Sequence, residues 1–230
     1  LVIGGTSFIG PFVVNALAQN GHQVAIFNRG NRTLPASQIV KHITGDRNKL
    51  HEYRDAFAEF APDIVVDMLA LYERDAQAVH KVLSGIAQRV VTISSMDVYL
   101  AYGRLTGIEP GLPVEVPMDE DSPLREKMYP YRGFAPRYQD YEKILVEKET
   151  LSHDDLPATV LRLPMVYGPG DYQHRMFPFL KRMLDGRTAI VLSESESVWR
   201  DSRGYVENIA HAVLCCVNNE KSAGRIYNVA

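Results

Sequence analysis

The chain has 230 residues, 46% of them hydrophobic and 23% charged, and a formal net charge of −3. That length buries a sizeable core, enough for one large domain or one plus a small lobe. The charge balance gives no global basic field toward nucleic acid or an anionic membrane, and no apolar run approaches the roughly 18 residues of a membrane span.

In chain order, the first signal is Leu1-Val2-Ile3-Gly4-Gly5-Thr6-Ser7-Phe8-Ile9-Gly10, a β-branched run that breaks into glycines and then a helical stretch. Val2 and Ile3 read as the end of a buried strand. Gly4 and Gly5 permit a sharp turn and a close approach to a pyrophosphate, and Gly10 permits tight packing of the helix on its strand. The helix N-terminus then faces the phosphates with unpaired N–H groups. Pro11 falls early in that helix, Phe12 to Ala18 supply its apolar face, and Asn20-Gly21 ends it. Strands follow at Val24–Phe27, Ile39–Ile43, Ile64–Val66, Val90–Ile93 and Thr159–Leu163, with helices predicted over Asn48–Phe60, Tyr72–Ala87 and Arg137–His153. This alternation predicts an α/β fold, a Rossmann-type doubly wound parallel sheet covered on both faces.

Residues 100 to 137 break the rhythm with six of the thirteen prolines. Such a loop reads as functional or mobile, and Tyr102, Tyr129, Tyr131 and Phe134 are candidates to cover a pocket. Asp119-Glu120-Asp121 reads as solvated loop charge. Beyond Pro164 come a helix near Met176–Asp185, a strand at Ala189–Leu192, a helix at Tyr205–Val217 and a strand at Ile226–Val229. These give a dinucleotide-binding domain over 1–165 and a small substrate-binding lobe over 166–230. The lobe is expected to be incomplete, because the chain stops directly after a strand. It also opens inside a strand without Met, so a preceding extension is open. Cys215 and Cys216, the only cysteines, read as buried reduced thiols consistent with a cytoplasmic location. The histidines form no HxH or HxxxH pair, so no metal is expected.

The second strand ends in Asn28-Arg29-Gly30-Asn31-Arg32. An acidic residue here would bind the 2′-OH of NAD, whereas guanidinium groups accommodate the 2′-phosphate of NADP. Arg29 and Arg32 therefore favour NADP over NAD. Asp46 closes the third strand, where it can accept from the adenine amino group. Leu69 and Ala70 follow the fourth, where small or apolar side chains let the backbone lie against a cofactor.

Four stretches together resemble the extended and atypical short-chain dehydrogenase/reductase superfamily, of the NAD(P)-dependent epimerase/dehydratase type. They are the glycine turn Gly4–Gly10, Ser94-Ser95-Met96-Asp97-Val98-Tyr99, Leu161-Arg162-Leu163-Pro164-Met165-Val166-Tyr167-Gly168-Pro169-Gly170-Asp171, and Arg200-Asp201 with Tyr205-Val206-Glu207-Asn208-Ile209-Ala210. The resemblance covers essentially the whole chain. The glycine turn and the strand ends assign Gly4, Thr6, Ser7, Phe8, Ile9, Gly10, Asn28, Arg29, Arg32, Asp46, Leu69 and Ala70 to the cofactor, and the resemblance implies that Lys143, Pro164 and Val166 join them. It also implies that Ser95 and Lys143 serve catalysis and that Arg200 contacts a substrate phosphate. The substrate implied is a nucleotide sugar or a similar hydroxyl or carbonyl metabolite, and family members often form homodimers through two helices of the Rossmann domain.

Three departures stand out. Ser7 replaces the usual middle glycine, Asn28-Arg29 replaces an acidic residue, and counting back four from Lys143 gives Gln139 where the family has its acid/base tyrosine. At about 100° per residue on a continuous helix, Tyr138 and Tyr141 face away from Lys143. Two further readings therefore accompany the enzyme: a cofactor-binding regulatory or scaffold module without redox catalysis, and, least favoured by the net charge, an RNA-binding relative.

Overall fold

The computed structural model describes residues 1–32, 34, 41–192, 197, 200 and 202–229. Residues 39 and 40 of the expected third strand, and Asp201, lie outside them. The main sheet contains β1 (Val2–Ile3), β2 (Ala25–Asn28), β3 (Lys41–Thr44), β4 (Ile64–Asp67), β5 (Arg89–Ser95), β6 (Ala158–Leu163) and β9 (Arg225–Asn228). Its order is β3-β2-β1-β4-β5-β6-β9, every pair is parallel, and Val2 faces both Ile26 and Val66. A separate parallel pair joins β7 (Met165–Tyr167) to β8 (Arg203–Tyr205).

Side chains alternate across a strand, so adjacent residues serve opposite layers. Val2 packs with α1 (Ile9–Gln19) and α7 (Val206–Asn218) through Val13, Val14, Leu17, Ile209, Val213 and Val217. Ile3 packs on the other face with Phe57 of α2 (Arg54–Phe60) and with Val79, Val82 and Leu83 of α3 (Glu73–Leu83). Each fully buried side chain of this kind stabilises the fold by roughly 1.5–3 kcal/mol. The doubly wound arrangement places a crevice at the carboxyl ends of β1 and β4, where the strand order reverses.

Several expectations change. The last helix and strand, expected in the smaller lobe, belong to the main body: α7 packs on α1, and β9 pairs with β6. Ala189–Leu192 is not a strand. The 100–137 excursion contains α4 (Leu100–Leu105), while α6 (Phe177–Leu184) buries none of its residues. Glu120 is not simply solvated, because its carboxylate accepts from Asn228 N at 2.6 Å and its carbonyl from Arg162 Nη1 at 2.9 Å. Neighbours on a helix point about 100° apart, and accordingly Cys216 is buried while Cys215 is exposed.

The largest change is the start of α5, which runs Lys143–Leu151 rather than from Arg137. Residues 136–138 form a short 3₁₀ turn, and Glu142 is extended at φ −157° and ψ 102°. Its carboxylate caps the helix by accepting from Ile144 N at 3.0 Å, and also accepts from Arg125 Nη2 at 2.9 Å and Tyr129 N at 2.6 Å. Those three donors hold Glu142 outside the helix, so the residues before it do not follow helical spacing.

Candidate active site

The glycine turn leaves β1 with Gly4 and Gly5 at φ 98° and 83°. A side chain at Gly4 would begin 3.0 Å from Leu69 Cγ, which places Leu69 against the turn. At Gly10 a Cβ would lie 2.5 Å from the Gly5 backbone, so the first turn of α1 rests directly on the strand exit. Phe8 precedes that helix with φ 46° and provides no side-chain cap. Thr6, Phe8 and Ile9 are half-buried, and Ser7 is exposed.

Asn28 occupies the discriminating position at the end of β2. Its Nδ2 donates to Thr6 Oγ1 at 3.3 Å, and its Oδ1 accepts from Gly30 N at 2.7 Å and lies 3.0 Å from His42 Nε2. An amide can serve the turn in this way without the negative charge that would repel a phosphate. Arg29 is exposed, and exposed Arg32 reaches Ser7 Oγ at 3.0 Å, which brings a guanidinium to the turn. Asp46 caps the following 3₁₀ helix by accepting from Asn48 N at 2.9 Å. The open glycine cradle, the uncharged Asn28 and the nearby guanidinium fit a dinucleotide.

Across the crevice, Lys143 is buried and donates to the carbonyls of Ala70 at 2.6 Å and Ile93 at 2.8 Å. Burial pushes its ammonium down to about 8. Two of its three protons are thus committed to the strand ends, which leaves one for a hydroxyl in the crevice. Ser95, the last residue of β5, accepts from Asp97 N at 3.2 Å.

Because α5 starts late, the tyrosine geometry differs from the helical expectation. Gln139 is exposed, with its carbonyl accepting from Arg132 Nε at 3.0 Å. Tyr141 instead turns inward. Its ring centroid lies 6.0 Å from Lys143 Nζ, and its hydroxyl donates at 2.8 Å to Oδ2 of Asp97, the residue whose backbone N–H donates to Ser95 Oγ. Helical spacing sets Tyr141 aside and gives Asp97 no role, whereas the structure joins the two beside Lys143. The signal was the extended Glu142, which no local spacing displays.

The remaining expected residues lie farther out. Pro164 is half-buried after β6, and Val166 is buried in the core. Arg200 is exposed beyond α6. Away from the crevice, the fold brings together His80 and His153, 3.4 Å apart and stacked, although no spacing in the sequence pairs them. Each has its own carboxylate, Asp155 for His80 and Glu149 for His153, both at 2.9 Å.

A parallel sheet in this order, with a glycine turn at its switch point, defines a Rossmann-type fold of the dinucleotide-binding kind. The chain belongs to the NAD dependent epimerase/dehydratase family, whose model matches residues 1–230. It is 26% identical over 245 residues to the chloroplast stem-loop binding protein of 41 kDa b of Arabidopsis thaliana, covering 100% of this chain and 58% of that protein. It is 27% identical over 227 residues to a 2-alkyl-3-oxoalkanoate reductase of Stenotrophomonas maltophilia (strain K279a), covering 92% of this chain and 63% of that protein. The chain thus spans about three-fifths of the length of these two curated relatives. MoeE5, solved in complex with UDP-glucuronic acid and NAD, shares the fold at a TM-score of 0.72 and 23% identity, covering 100% of this chain and 75% of that one. Among the described residues, no helix is long and apolar enough to cross a membrane.

Proposed function

We propose that the chain is an NAD(P)-dependent enzyme of the epimerase, dehydratase or reductase type, acting on a hydroxyl or carbonyl of a nucleotide sugar or similar metabolite. The observation that carries this reading is the grouping of Tyr141 and Ser95 on Asp97, with Lys143 Nζ 6.0 Å from the Tyr141 ring and bonded to the carbonyl of Ile93 on the strand that ends in Ser95. When bound, the nicotinamide exchanges a hydride with the substrate carbon. Gly4, Thr6, Ser7 and the N-terminus of α1 hold the pyrophosphate, Lys143 the ribose, and Pro164 and Val166 flank the nicotinamide. Ser95 orients the reacting oxygen and Tyr141 exchanges its proton. Arg29 and Arg32 support a preference for NADP over NAD, and Arg200 is the proposed contact for a substrate phosphate.

The partner is a small molecule, the location is cytoplasmic, and the assembly is a homodimer through helices of the Rossmann domain. The net charge of −3 weighs against nucleic acid, although one relative is named for binding stem-loops. Incubation with NADP⁺ or NAD⁺ and a panel of nucleotide sugars, followed by nicotinamide absorbance and product analysis, tests the reading. Turnover, with tighter binding of NADP, is expected. Tight cofactor binding without turnover across the panel would establish the regulatory-module reading instead, and a salt-dependent shift of RNA would establish the third.

A further inference from the structure

Six acidic residues of the described chain are buried: Asp67, Asp75, Asp97, Glu142, Glu147 and Asp171. Five of them have a guanidinium partner. Asp67 and Asp75 pair with Arg47, Glu142 with Arg125, Glu147 with Arg162 and Asp171 with Arg175. Asp97 is the exception. Its Oδ2 accepts from two phenols, Tyr141 at 2.8 Å and Tyr131 at 3.0 Å, while its Oδ1 is buried with no hydrogen-bond partner.

The other groups facing Asp97 leave its carboxylate without a contact cation. Arg125 donates through Nε to the Asp97 carbonyl at 2.5 Å and spends its forked end on Glu142. Lys143 acts on Asp97 only through space, being hydrogen-bonded to Ala70 and Ile93. Ser95 accepts from the Asp97 backbone N–H. A buried carboxyl without a direct cation is disfavoured as an anion, and burial raises its proton affinity here despite the phenol donors. The unpartnered Oδ1 is an acceptor with room for a proton.

The phenols extend in two directions. Tyr141 leads toward Lys143, whose Nζ lies 6.0 Å from its ring, and so toward the crevice. Tyr131 lies 2.8 Å from the hydroxyl of Tyr102, which is half-buried toward the surface. We propose that Asp97 is the proton reservoir of this site, and that Tyr141, Asp97, Tyr131 and Tyr102 form a relay between the reacting oxygen and the protein surface.

The proposal rests on the enzymatic reading above. As a substrate alcohol is oxidised, its hydroxyl proton passes to Tyr141 Oη while the phenol proton moves to Asp97. The hydride and its electron pair leave the same carbon for the oxidised nicotinamide, leaving a carbonyl. Rotation of the Tyr131 hydroxyl from Asp97 toward Tyr102 then opens the path for the stored proton to reach solvent, and reduction of a carbonyl runs in reverse. The concerted step spares Tyr141 from becoming a free phenolate, which burial and the Asp97 charge both oppose.

Infrared spectroscopy of the whole chain tests the reservoir without requiring turnover. Wild type is expected to show the stretch of a protonated carboxyl at a pH where an exposed aspartate is already ionised, because burial raises the proton affinity of Asp97. Asp97→Asn removes that band, and Tyr131→Phe shifts its titration upward through loss of a donor. Absence of the band in wild type overturns the proposal. Where turnover is found, Asp97→Asn is expected to lower it about 100-fold with cofactor affinity retained. Tyr131→Phe, which keeps the ring, is expected to lower turnover about tenfold with an enlarged solvent isotope effect. An unchanged rate and isotope effect in Tyr131→Phe overturn the relay. A protonated Asp97 in a chain that never turns over refutes the enzymatic reading while leaving the reservoir standing.

Discussion

The two sides of the crevice are made of different material. At the glycine turn the contacts are backbone and small side chains, and the charged groups, Arg29 and Arg32, stand in solvent. Around Asp97 the contacts are buried side chains, and almost every charge is tied to another. A dinucleotide supplies its own charge and needs an opening with donors, whereas proton transfer needs groups fixed against one another in a dry interior. The first region should therefore lose function on steric crowding, and the second should lose the fold when one partner is removed.

Buried ion pairs allow the hardest test. Glu142→Ala strands Arg125, which is fully buried with its partner, and also deletes the cap of α5. The expected cost is about 3–5 kcal/mol in denaturant unfolding. A loss below about 1 kcal/mol would mean that the interior relaxes and does not depend on the pair.

Lys143 offers a pH test on the same side. Burial lowers its proton affinity from 10.5 to about 8, so the unfolded chain binds the extra proton between those values. Stability contributed by this group therefore rises with pH across that window, and its charged form opposes folding in full below it. The difference in unfolding free energy between wild type and Lys143→Met should change by about 3 kcal/mol over the window. A constant difference would show that the ammonium is hydrated in the folded chain.

On the glycine side, Gly10→Ala places a Cβ 2.5 Å from the Gly5 backbone, which cannot rotate away. Calorimetry should show a loss of about 1–3 kcal/mol in stability, together with weaker dinucleotide binding. Unaltered binding would mean that the turn does not need its helix so close. The smallest structural effect belongs to Arg32→Ala, within about 0.5 kcal/mol of wild type by thermal melting. It should weaken NADP binding about tenfold and leave NAD unchanged. Equal losses for both would remove the basis for NADP preference.

The same contrast explains what the amino-acid sequence displays. A turn built from backbone writes itself into consecutive residues, so Gly4 to Gly10 can be read directly, as can β-branched strands that alternate with helices. Ser95 and Lys143 carry motif spacing, and Lys143 is bonded to the carbonyl of Ile93, two residues before Ser95. Tyr141 is hidden because helical phase does not carry back through Glu142, a residue held out of the helix by Arg125 and Tyr129. Asp97 is visible in its motif but its setting is not, because the phenols on its carboxylate, Tyr131 and Tyr141, lie more than thirty residues on. Nothing local distinguishes a strand that closes a distant sheet edge, such as Arg225–Asn228, from one in a separate unit.

Phe8 carries a consequence for exchanging parts between relatives. Its left-handed backbone, a conformation costing roughly 1–3 kcal/mol outside glycine, sits where its ring meets Tyr172 edge-on at 6.4 Å. The turn and the segment after β7 are thus halves of one clasp, closed by a side chain that a more flexible residue would not provide. A glycine turn transplanted here from a relative without the matching aromatic would relax locally yet lose its grip on the opposite rim, so the two segments are best transplanted as one piece.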